Sequence, residues 1–351
     1  MKQRILVAPL NWGLGHAARC IPIIKALFAH GFEPIIASDG AALLLLKKEF
    51  PEFSTMELPA YNMTYAKNGK FFKLKLIKDA PKLLKAIKAE KKAVAAIIET
   101  QNISGIISDN RLGVYNKNVP SVFITHQLKV LSGSTTWLST KLHEKFIKQF
   151  DACWVPDTKG ELNLSGKLGH DHSLDTPVTY IGALSRFEKK DSTLTIDLLV
   201  LLSGPEPQRS LLETKLLKEL ENYSGRIVFV RGLMENQQTV KHKGTLSIYN
   251  FMTSELLEKT INESRLVLSR SGYTTIMDLA KLEKKAFFIP TPGQSEQEYL
   301  AKQFTKKGFA PSCNQDDFSI KMLDDISGFK GLTNFNSEID YANLFRLFQS
   351  E

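Results

Sequence analysis

Cysteines are few in this sequence, and no long apolar run is present. The three cysteines, Cys20, Cys153 and Cys313, are scattered through 351 residues without any paired spacing. This pattern argues against disulfides and against a zinc site, and it favours a reducing compartment. No stretch is long and apolar enough to span a membrane. We therefore expect a cytoplasmic protein, either free or held at the inner face of the cytoplasmic membrane.

Acidic residues are scarce in the first half of the chain. Residues 1–190 carry 27 Lys and Arg against 16 Asp and Glu, a net charge of +11, whereas the remaining residues carry 19 against 21, a net charge of −2. Residues 67–92 concentrate this excess, with ten lysines against one Asp and one Glu and with apolar residues interleaved.

Two interpretations of residues 67–92 stay open. The segment could contact an anionic membrane or a lipid-phosphate group. It could instead be a solvated helix whose apolar face packs on its own domain. A nucleic-acid partner is not expected, because no recognition module is present and the aromatic residues form no stacking pattern.

Strand-like and helix-like segments alternate along the chain. Apolar runs such as RILVAPL at residue 4 and IDLLVLLSG at residue 196 have the composition of buried parallel strands. Such alternation predicts an α/β protein with parallel sheets covered by helices on both faces. Two blocks joined near residue 185 predict two Rossmann-like domains with a cleft between them, residues 1–185 and residues 186–336.

The run from Arg265 to Gln303 has the order strand, glycine turn, helix, strand, polar loop and helix. Small and hydroxyl residues crowd the expected start of its first helix: Ser271, Gly272, Thr274 and Thr275. A helix N-terminus presents unpaired N–H groups and a positive dipole, which suit a phosphate group. The turn therefore predicts a phosphate-binding site.

Polar side chains further along this run suit sugars. Asp278 lies one helical turn beyond Thr274 and is placed to bind ribose hydroxyls, while Gln297 and Glu298 in the polar loop suit the hydroxyls of a second sugar. The run thus predicts one half of a nucleotide-sugar site. The alternative is a strand–turn–helix unit that binds no nucleotide, which α/β proteins often contain.

A glycine loop follows the first predicted strand, and it contains Gly13, Gly15, His16 and Arg19. Open α/β sheets bind their ligands at this end of the strands. His16 could deprotonate a hydroxyl, because imidazole exchanges protons near neutral pH. It could also hold a diphosphate through a hydrogen bond, or be a helix cap or core histidine.

Two further predicted strands end in polar residues. One is followed by Asp109, Asn110 and Arg111, and the other by His126 and Gln127. Asp109 could be the base itself or could orient His16, since a carboxylate raises the basicity of an imidazole and fixes its tautomer. The alternative is that these residues cap helices and fill turns.

These motifs resemble those of the GT-B glycosyltransferases. The run from Arg265 to Gln303 is similar to the donor-binding segment of the family 28 group, which includes the peptidoglycan N-acetylglucosaminyltransferase (lipid II synthase). The shared features are Ser-Arg-Ser-Gly at residues 269–272, an acidic residue at Asp278 and a strand that ends in proline. That group has glutamate at the acidic position, and Gln-Gln-Tyr where this chain has Gln297, Glu298 and Tyr299.

The first half of the chain also resembles this group. Its glycine-rich loop ends in Gly-His, as at Gly15 and His16, and its His-Glu-Gln tripeptide partly matches His126 and Gln127. The Gly-x-Gly-His-x-x-Arg form of residues 13–19 also resembles a nucleotide-sugar hydrolase, in which the histidine is proposed to activate water.

The resemblance implies further features of the fold and site. Ser203 and Gly204 would form the first diphosphate loop, and backbone groups at Phe251 and Met252 would hold the base. Residues 337–351 would form a helix that packs back on the N-terminal domain. The sequence has no Asp-x-Asp motif, so helix N-termini rather than a metal ion would neutralise the leaving diphosphate. No cofactor is expected beyond the nucleotide sugar, which is a substrate.

The predicted function is that of an inverting, metal-independent glycosyltransferase. It would move a sugar from a nucleoside-diphosphate sugar, with UDP as the expected nucleotide, to an acceptor hydroxyl bound by the N-terminal domain. A lipid-linked or cell-envelope acceptor fits the lysine-rich segment. The alternatives are a nucleotide-sugar hydrolase or epimerase on the same fold and a non-catalytic nucleotide-sugar-binding protein.

Overall fold

The structure is a computed structural model that describes residues 2–61, 72–171, 174–233, 235–335 and 338–349, with only the backbone described for 72–80 and 134. The described residues divide into two compact units. Unit 1 holds those within 2–61, 73–185 and 338–349, and unit 2 holds residue 72 and those within 186–335. Residues 67–71 of the lysine-rich segment lie outside the described residues.

Unit 1 is built on a sheet of seven strands within the described residues. The strands are β1 (Arg4–Pro9), β2 (Glu33–Ser38), β3 (Thr55–Glu57), β4 (Ile103–Asp109), β5 (Ser121–Ile124), β6 (Ala152–Val155) and β7 (Val178–Tyr180). They pair in parallel in the order β3-β2-β1-β4-β5-β6-β7. The helices are α1 (Gly15–Ala29), α2 (Gly40–Glu49), α3 (Phe72–Gln101), α4 (Thr136–Ile147) and α5 (Lys167–His170). Residues 5–8 of β1 have no exposed surface, which explains why this central strand is apolar on both faces.

Unit 2 contains a second sheet of six strands within the described residues. Its strands are β8 (Ile196–Leu201), β9 (Ile227–Val230), β10 (Val240–Lys243), β11 (Leu246–Tyr249), β12 (Ser264–Ser269) and β13 (Lys285–Phe288), in the order β10-β11-β9-β8-β12-β13. The helices are α6 (Gln208–Glu219), α7 (Ser254–Asn262), α8 (Tyr273–Lys281) and α9 (Ser295–Lys306). The prediction of two parallel, helix-covered α/β units is therefore confirmed.

The edge strand β10 departs from the alternation of strand and helix. It pairs antiparallel with β11, and its four residues, VKHK, are all exposed. Exposed lysines are common on edge strands, where charge discourages pairing with another chain. A strand without a buried face leaves no apolar pattern, and for this reason the sequence did not predict it.

The C-terminal segment packs on the sheet of unit 1. A short helix, α10 (Tyr341–Phe345), begins after Asp340, whose carboxylate accepts a hydrogen bond from Asn343 N. The buried Phe345 ring lies 5.8 Å from that of Phe32 and 6.5 Å from that of Trp154, and Phe348 lies 6.2 Å from Trp154, centroid to centroid. The helix is much shorter than the predicted 337–351 segment, because the chain then tightens into a 3₁₀ turn at Arg346–Phe348.

Gly105 in β4 makes room for this segment. A Cβ atom there would lie 2.9 Å from Phe348 Cε1 and 3.0 Å from Ile5 Cδ1. We expect Gly105→Ala to lower the free energy of unfolding by about 1–3 kcal/mol through overpacking, as measured by urea denaturation. Gly160→Ala is the matched control, since its Cβ would meet nothing within 4 Å. Equal stability of the two variants would show that Phe348 does not hold this position.

The described part of the lysine-rich segment belongs to α3. Ile87, Glu90 and Val94 of this helix are buried in unit 1. The lysines between residues 81 and 92, where side chains are described, are exposed: Lys82, Lys85, Lys88, Lys91 and Lys92. Packing on its own domain thus accounts for Ile87, whereas Leu84 is exposed by 51%, and contact with a membrane stays a prediction. Among the described residues, no helix combines the length and the apolar character needed to cross a membrane.

Candidate functional site

The glycine loop places His16 at the start of a helix. The chain leaves β1 at Pro9, passes Gly13 in a left-handed conformation (φ +78°) and enters α1 at Gly15. The Leu10 N–H donates to the carbonyl of Asp109, at 2.9 Å, and so ties the ends of β1 and β4 together. His16 therefore lies at the carboxyl edge of the sheet, beside the last residue of β4.

Asp109 connects two other residues that the sequence pattern singled out, His16 and Arg19. Its Oδ1 lies 2.9 Å from His16 Nδ1, and both of its oxygens accept hydrogen bonds from the Arg19 guanidinium. His16 and Arg19 are three residues apart on α1 and so share one helix face. The Asp109 side chain has 0% exposure and that of His16 has 16%. His16 alone of the pair can therefore meet a ligand.

Charges fix the protonation of this cluster. Burial raises the pKa of Asp109, but the charge of Arg19, the charge of His16 and their hydrogen bonds overcome this effect and hold the pKa well below its ordinary value. Burial and the charge of Arg19 lower the pKa of His16, and the opposing effect of Asp109 is smaller. Near neutral pH the carboxyl group is therefore ionised and the imidazole neutral.

His16 Nδ1 lies between an acceptor and a donor. It is 2.9 Å from Asp109 Oδ1 and 2.8 Å from Arg19 Nη2. In the tautomer with the proton on Nδ1, His16 donates to Asp109, because an ionised carboxylate only accepts hydrogen bonds. His16 Nε2 then has a lone pair and no hydrogen-bond partner among the residues that the structure describes. In this tautomer Nε2 can accept a proton.

His126 joins the cluster from the other side of Arg19. Arg19 Nη1 lies 3.1 Å from His126 Nδ1, and His126 is buried just beyond the end of β5. Asn110, with φ +57°, donates weakly to Asp109 Oδ1 at 3.4 Å. The backbone N–H of Gln127 donates to Thr125 Oγ1 at 3.1 Å. The structure thus brings together five of the predicted residues of unit 1, namely His16, Arg19, Asp109, Asn110 and His126.

Arg111 differs from the prediction that it lines the site. It is fully buried, and it donates to Asp39 Oδ1 at 2.7 Å, to the carbonyl of Pro59 at 2.7 Å and to the Glu90 carboxylate. The sequence did not reveal either acidic partner, because Glu90 lies among the lysines of α3 and Asp39, between β2 and α2, is 72 residues away in the chain. Arg111 therefore stabilises the fold by joining α3 to the sheet edge.

In unit 2 the glycine turn forms the N-terminus of α8. Gly272 is the cap residue, and the nearest atom that a Cβ there would meet is Gln297 Nε2, 4.0 Å away. Thr274 and Thr275 are half-buried in the first turn, and Asp278 is almost fully buried further along the helix. The open space at Gly272 leaves the first N–H groups of α8 approachable.

Several of the predicted ligand-binding side chains also hold loops of the protein. Ser271 Oγ donates to the carbonyl of Gln297 at 2.8 Å. The Gln297 side-chain oxygen accepts from Thr291 N at 2.8 Å, and Glu298 Oε1 accepts from Gly293 N at 2.9 Å. Gln297 Nε2 and the second oxygen of Glu298 are the atoms of these side chains left for a sugar.

The loop after β8 lies beside the loop after β13. Gly204 has φ +102°, and a Cβ there would lie 3.8 Å from Thr291 Oγ1. Ser203 is half-buried next to it. Because β8, β12 and β13 are neighbours in the sheet, the structure places the three predicted donor-binding loops at adjacent strand ends.

Phe251 and Met252 follow β11, two strands away from β8. Both are buried. The Phe251 N–H donates to Asn250 Oδ1 at 2.9 Å, so this donor is already used within unit 2. A hydrogen bond to a base at this point would depend on other backbone groups.

No cluster of three or more His, Cys, Asp or Glu side chains suited to a metal ion is found in the described part of the chain. The metal-independent site stays a prediction.

Comparison with known proteins identifies the second unit. Residues 210–326 match the glycosyltransferase family 28 C-terminal domain. The chain is also 24% identical over 340 residues to the UDP-N-acetylglucosamine–N-acetylmuramyl-(pentapeptide) pyrophosphoryl-undecaprenol N-acetylglucosamine transferase of Clostridium tetani. That alignment covers 92% of this chain and 88% of the Clostridium enzyme.

Solved glycosyltransferase structures share the fold of the whole chain. The glycotransferase of kitacinnamycin matches with a TM-score of 0.63 at 12% identity, and MurG of Acinetobacter baumannii with a TM-score of 0.55 at 14% identity. Each alignment covers 99% of both chains.

Proposed function

From the premise that this chain is a GT-B glycosyltransferase with a family 28 C-terminal domain, we propose that it transfers a sugar from a nucleoside-diphosphate sugar to an acceptor hydroxyl, with inversion at the anomeric carbon. The observation that carries this proposal is the His16–Asp109–Arg19 cluster. It provides a neutral imidazole that is oriented through Nδ1 and whose second nitrogen lacks a partner among the described residues.

His16 acts as the general base in this proposal. The acceptor hydroxyl gives its proton to His16 Nε2, and its oxygen forms a bond to the anomeric carbon while the bond from that carbon to the diphosphate oxygen breaks. The electron pair of the broken bond leaves with the diphosphate. Asp109 stabilises the imidazolium that forms and remains ionised, because Arg19 holds its pKa low.

Unit 2 supplies the donor site. The N-terminus of α8 at Gly272 would stabilise the negative charge that grows on the diphosphate as it leaves, and the loop at Ser203 and Gly204 would lie beside it. Asp278 would bind the ribose, and the remaining groups of Gln297 and Glu298 the sugar. UDP is the proposed nucleotide, since the Clostridium relative is named for a UDP-sugar donor.

A lipid-linked acceptor is supported by an apolar surface on unit 1. Three large side chains of α4 are exposed, Trp137 by 73%, Leu138 by 61% and Leu142 by 53%, and the lysines at 141 and 145 flank them. Apolar groups bordered by cations suit the surface of an anionic bilayer. The name of the Clostridium relative also includes a pyrophosphoryl-undecaprenol acceptor. We therefore propose contact with the cytoplasmic face of a membrane.

Turnover measurements test the transferase function. Purified protein is incubated with UDP-, GDP- and dTDP-sugars, with and without a polyprenyl-linked saccharide in anionic vesicles. We expect release of nucleoside diphosphate only when the acceptor is present, with an inverted anomeric configuration of the product by NMR. Free sugar or an epimer formed without acceptor would instead establish the hydrolase or epimerase alternative.

Sedimentation with anionic vesicles at low salt tests the proposed membrane contact. Failure of the protein to sediment with these vesicles would rule out that contact.

The pH dependence of the rate tests the role of His16. A base must be neutral to accept a proton, so kcat/KM is expected to fall as pH decreases. Because burial and Arg19 lower the pKa of His16 from 6.5, the midpoint of this acidic limb is expected below pH 6.5. The measurement is kcat/KM across about pH 5 to 9, the range in which bell-shaped profiles report such groups. A midpoint above 6.5 would contradict the assignment.

A further inference from the structure

Four arginines of the described residues are buried, and one of them lacks an acidic partner. Arg19 pairs with Asp109, Arg111 with Asp39 and Glu90, and Arg209 with Glu206 and Glu213. Arg270, with 0% exposure, makes no ion pair with any described carboxylate. Burying a charge without a counter-charge raises the free energy of the folded state, so the position of Arg270 needs a structural or functional explanation.

The hydrogen bonds of Arg270 go to neutral oxygens. Nη1 donates to the carbonyls of Ile289 and Pro290, at 3.1 and 3.0 Å, and Nη2 to the carbonyl of Gln208 at 2.9 Å and to Gln315 Oε1 at 2.7 Å. Nε has no partner among the described residues. These contacts join the end of β12 to the start of α6 and to the loop after β13, but they leave the positive charge uncompensated.

Two helix N-termini add to this positive charge. Gln208 is the first residue of α6, and Arg270 lies three residues before the first residue of α8. Each helix start carries a partial positive charge. Glu206, which lies two residues before the first residue of α6, is half-exposed and already paired with Arg209. The guanidinium therefore lies near the positive ends of two helix dipoles, and no carboxylate among the described residues pairs with it.

The same region holds a second buried group without a partner. Thr291 is almost fully buried, and its Oγ1 has no hydrogen bond among the described residues. This hydroxyl faces Gly204, where a Cβ would lie 3.8 Å from it. A polyanion at the ends of β8 and β12 would supply both the missing negative charge and acceptor oxygens.

We propose that Arg270 is a positioning and specificity-determining residue that makes the donor site select the diphosphate part of its ligand. The proposal rests on the donor site of the proposed function. Arg270 does not touch the ligand, because it is fully buried. It acts through its field and by fixing the starts of α6 and α8, so that the free site is arranged for two negative charges before they arrive. Burial lowers the pKa of Arg270 to about 10, which leaves it charged at neutral pH.

Two substitutions separate the charge of Arg270 from its hydrogen bonds. Arg270→Gln keeps an amide group that donates hydrogen bonds and removes the charge. Arg270→Lys keeps the charge but replaces the planar guanidinium, with its several N–H donors, by a single ammonium group. Binding of uridine, UMP and UDP to each folded variant is measured by titration calorimetry, with GDP and dTDP series in parallel. We expect Arg270→Gln to weaken diphosphate binding by about tenfold or more, and nucleoside binding by less than about twofold. Arg270→Lys should retain most of the preference for diphosphate over nucleoside.

Stability gives an independent readout. Because the buried charge is unpaired, the ligand-free Arg270→Gln variant is expected to melt no more than a few degrees below the wild type, and UDP should stabilise it less. Gln315→Met, which removes one anchor and keeps the charge, is the matched control and should retain the diphosphate preference.

Specific results would overturn the proposal. One is an equal loss of nucleoside and diphosphate affinity in Arg270→Gln, and another is unchanged diphosphate affinity in that variant. If Arg270→Gln does not fold, Arg270→Lys tests the proposal. A preference for diphosphate over nucleoside that falls by about tenfold in this variant would show that the guanidinium geometry is needed and that the positive charge alone is not sufficient. If the wild type binds no nucleoside diphosphate at all, the proposed function itself fails.

Discussion

Replacement of His16 by asparagine is expected to lower kcat by about 10²–10⁴-fold, the usual contribution of a general base. Asparagine keeps a polar side chain that can still bond to Asp109, but it cannot accept a proton near neutral pH. Donor affinity should change little, because the proposed donor site belongs to unit 2. The measurements are kcat with saturating donor and acceptor, and nucleotide binding by calorimetry.

His30→Asn is the matched control for this substitution. His30 lies at the other end of α1, is exposed, and bonds through Nδ1 to the carbonyl of Ala26. The same change of residue type there should leave kcat within about twofold, as is usual for a surface substitution. A His16→Asn variant with nearly full activity and native stability would exclude His16 as the base. The acidic limb of the pH profile should disappear in this variant.

Asp109→Asn is expected to damage both stability and activity. The neutral amide leaves the buried charge of Arg19 without a counter-ion, and such a loss costs about 3–5 kcal/mol. An amide N–H can also donate to His16 Nδ1, which would move the imidazole proton to Nε2 and remove the base. The measurements are the free energy of unfolding in urea and kcat of the folded fraction.

Asp171→Asn provides the matched control in unit 1. Asp171 pairs with Lys129, and the Asp171 side chain is 56% exposed and that of Lys129 32% exposed. Exposed pairs contribute about 0–1 kcal/mol, so this variant should stay close to the wild type. Equal effects of the two substitutions would mean that the buried Asp109–Arg19 pair contributes no more to stability or kcat than an exposed ion pair.

The pH dependence of stability gives a further check on Asp109. Its folded-state pKa is lowered, so its contribution is fully present above the unfolded-state value of about 3.9 and is lost as pH falls through the folded-state value. The free energy of unfolding of the wild type should therefore fall more steeply below about pH 4 than that of Asp109→Asn.

The features that could be predicted from the sequence are those that depend on a few neighbouring residues. Apolar strands and the glycine turns at Gly13 and Gly272 follow from short patterns, and the structure places both turns at helix starts. The carboxyl ends of neighbouring parallel strands lie close together, so the proximity of His16 and Asp109 could be predicted from the sequence, and the structure places them in contact.

Long-range pairing was not predictable in this way. Glu90 was one acidic residue among ten lysines, and only the fold reveals that it lies against Arg111. The motif that contains Arg270 can be recognised in the sequence. Its lack of a carboxylate partner cannot, because its hydrogen-bond partners lie up to 62 positions away. The exposed apolar face of α4 was missed because exposure of Trp137 cannot be deduced from its own neighbours in sequence.

The bonds of Gln297 have a consequence for exchanging donor preference between related enzymes. One residue holds two loops at once, since its main-chain oxygen binds Ser271 and its side chain binds Thr291 N. Arg270 adds the start of α6 to the same assembly. A loop transplanted alone would lose the partners of its hydrogen bonds, so we expect the segments after β8, β12 and β13 to be exchangeable only together.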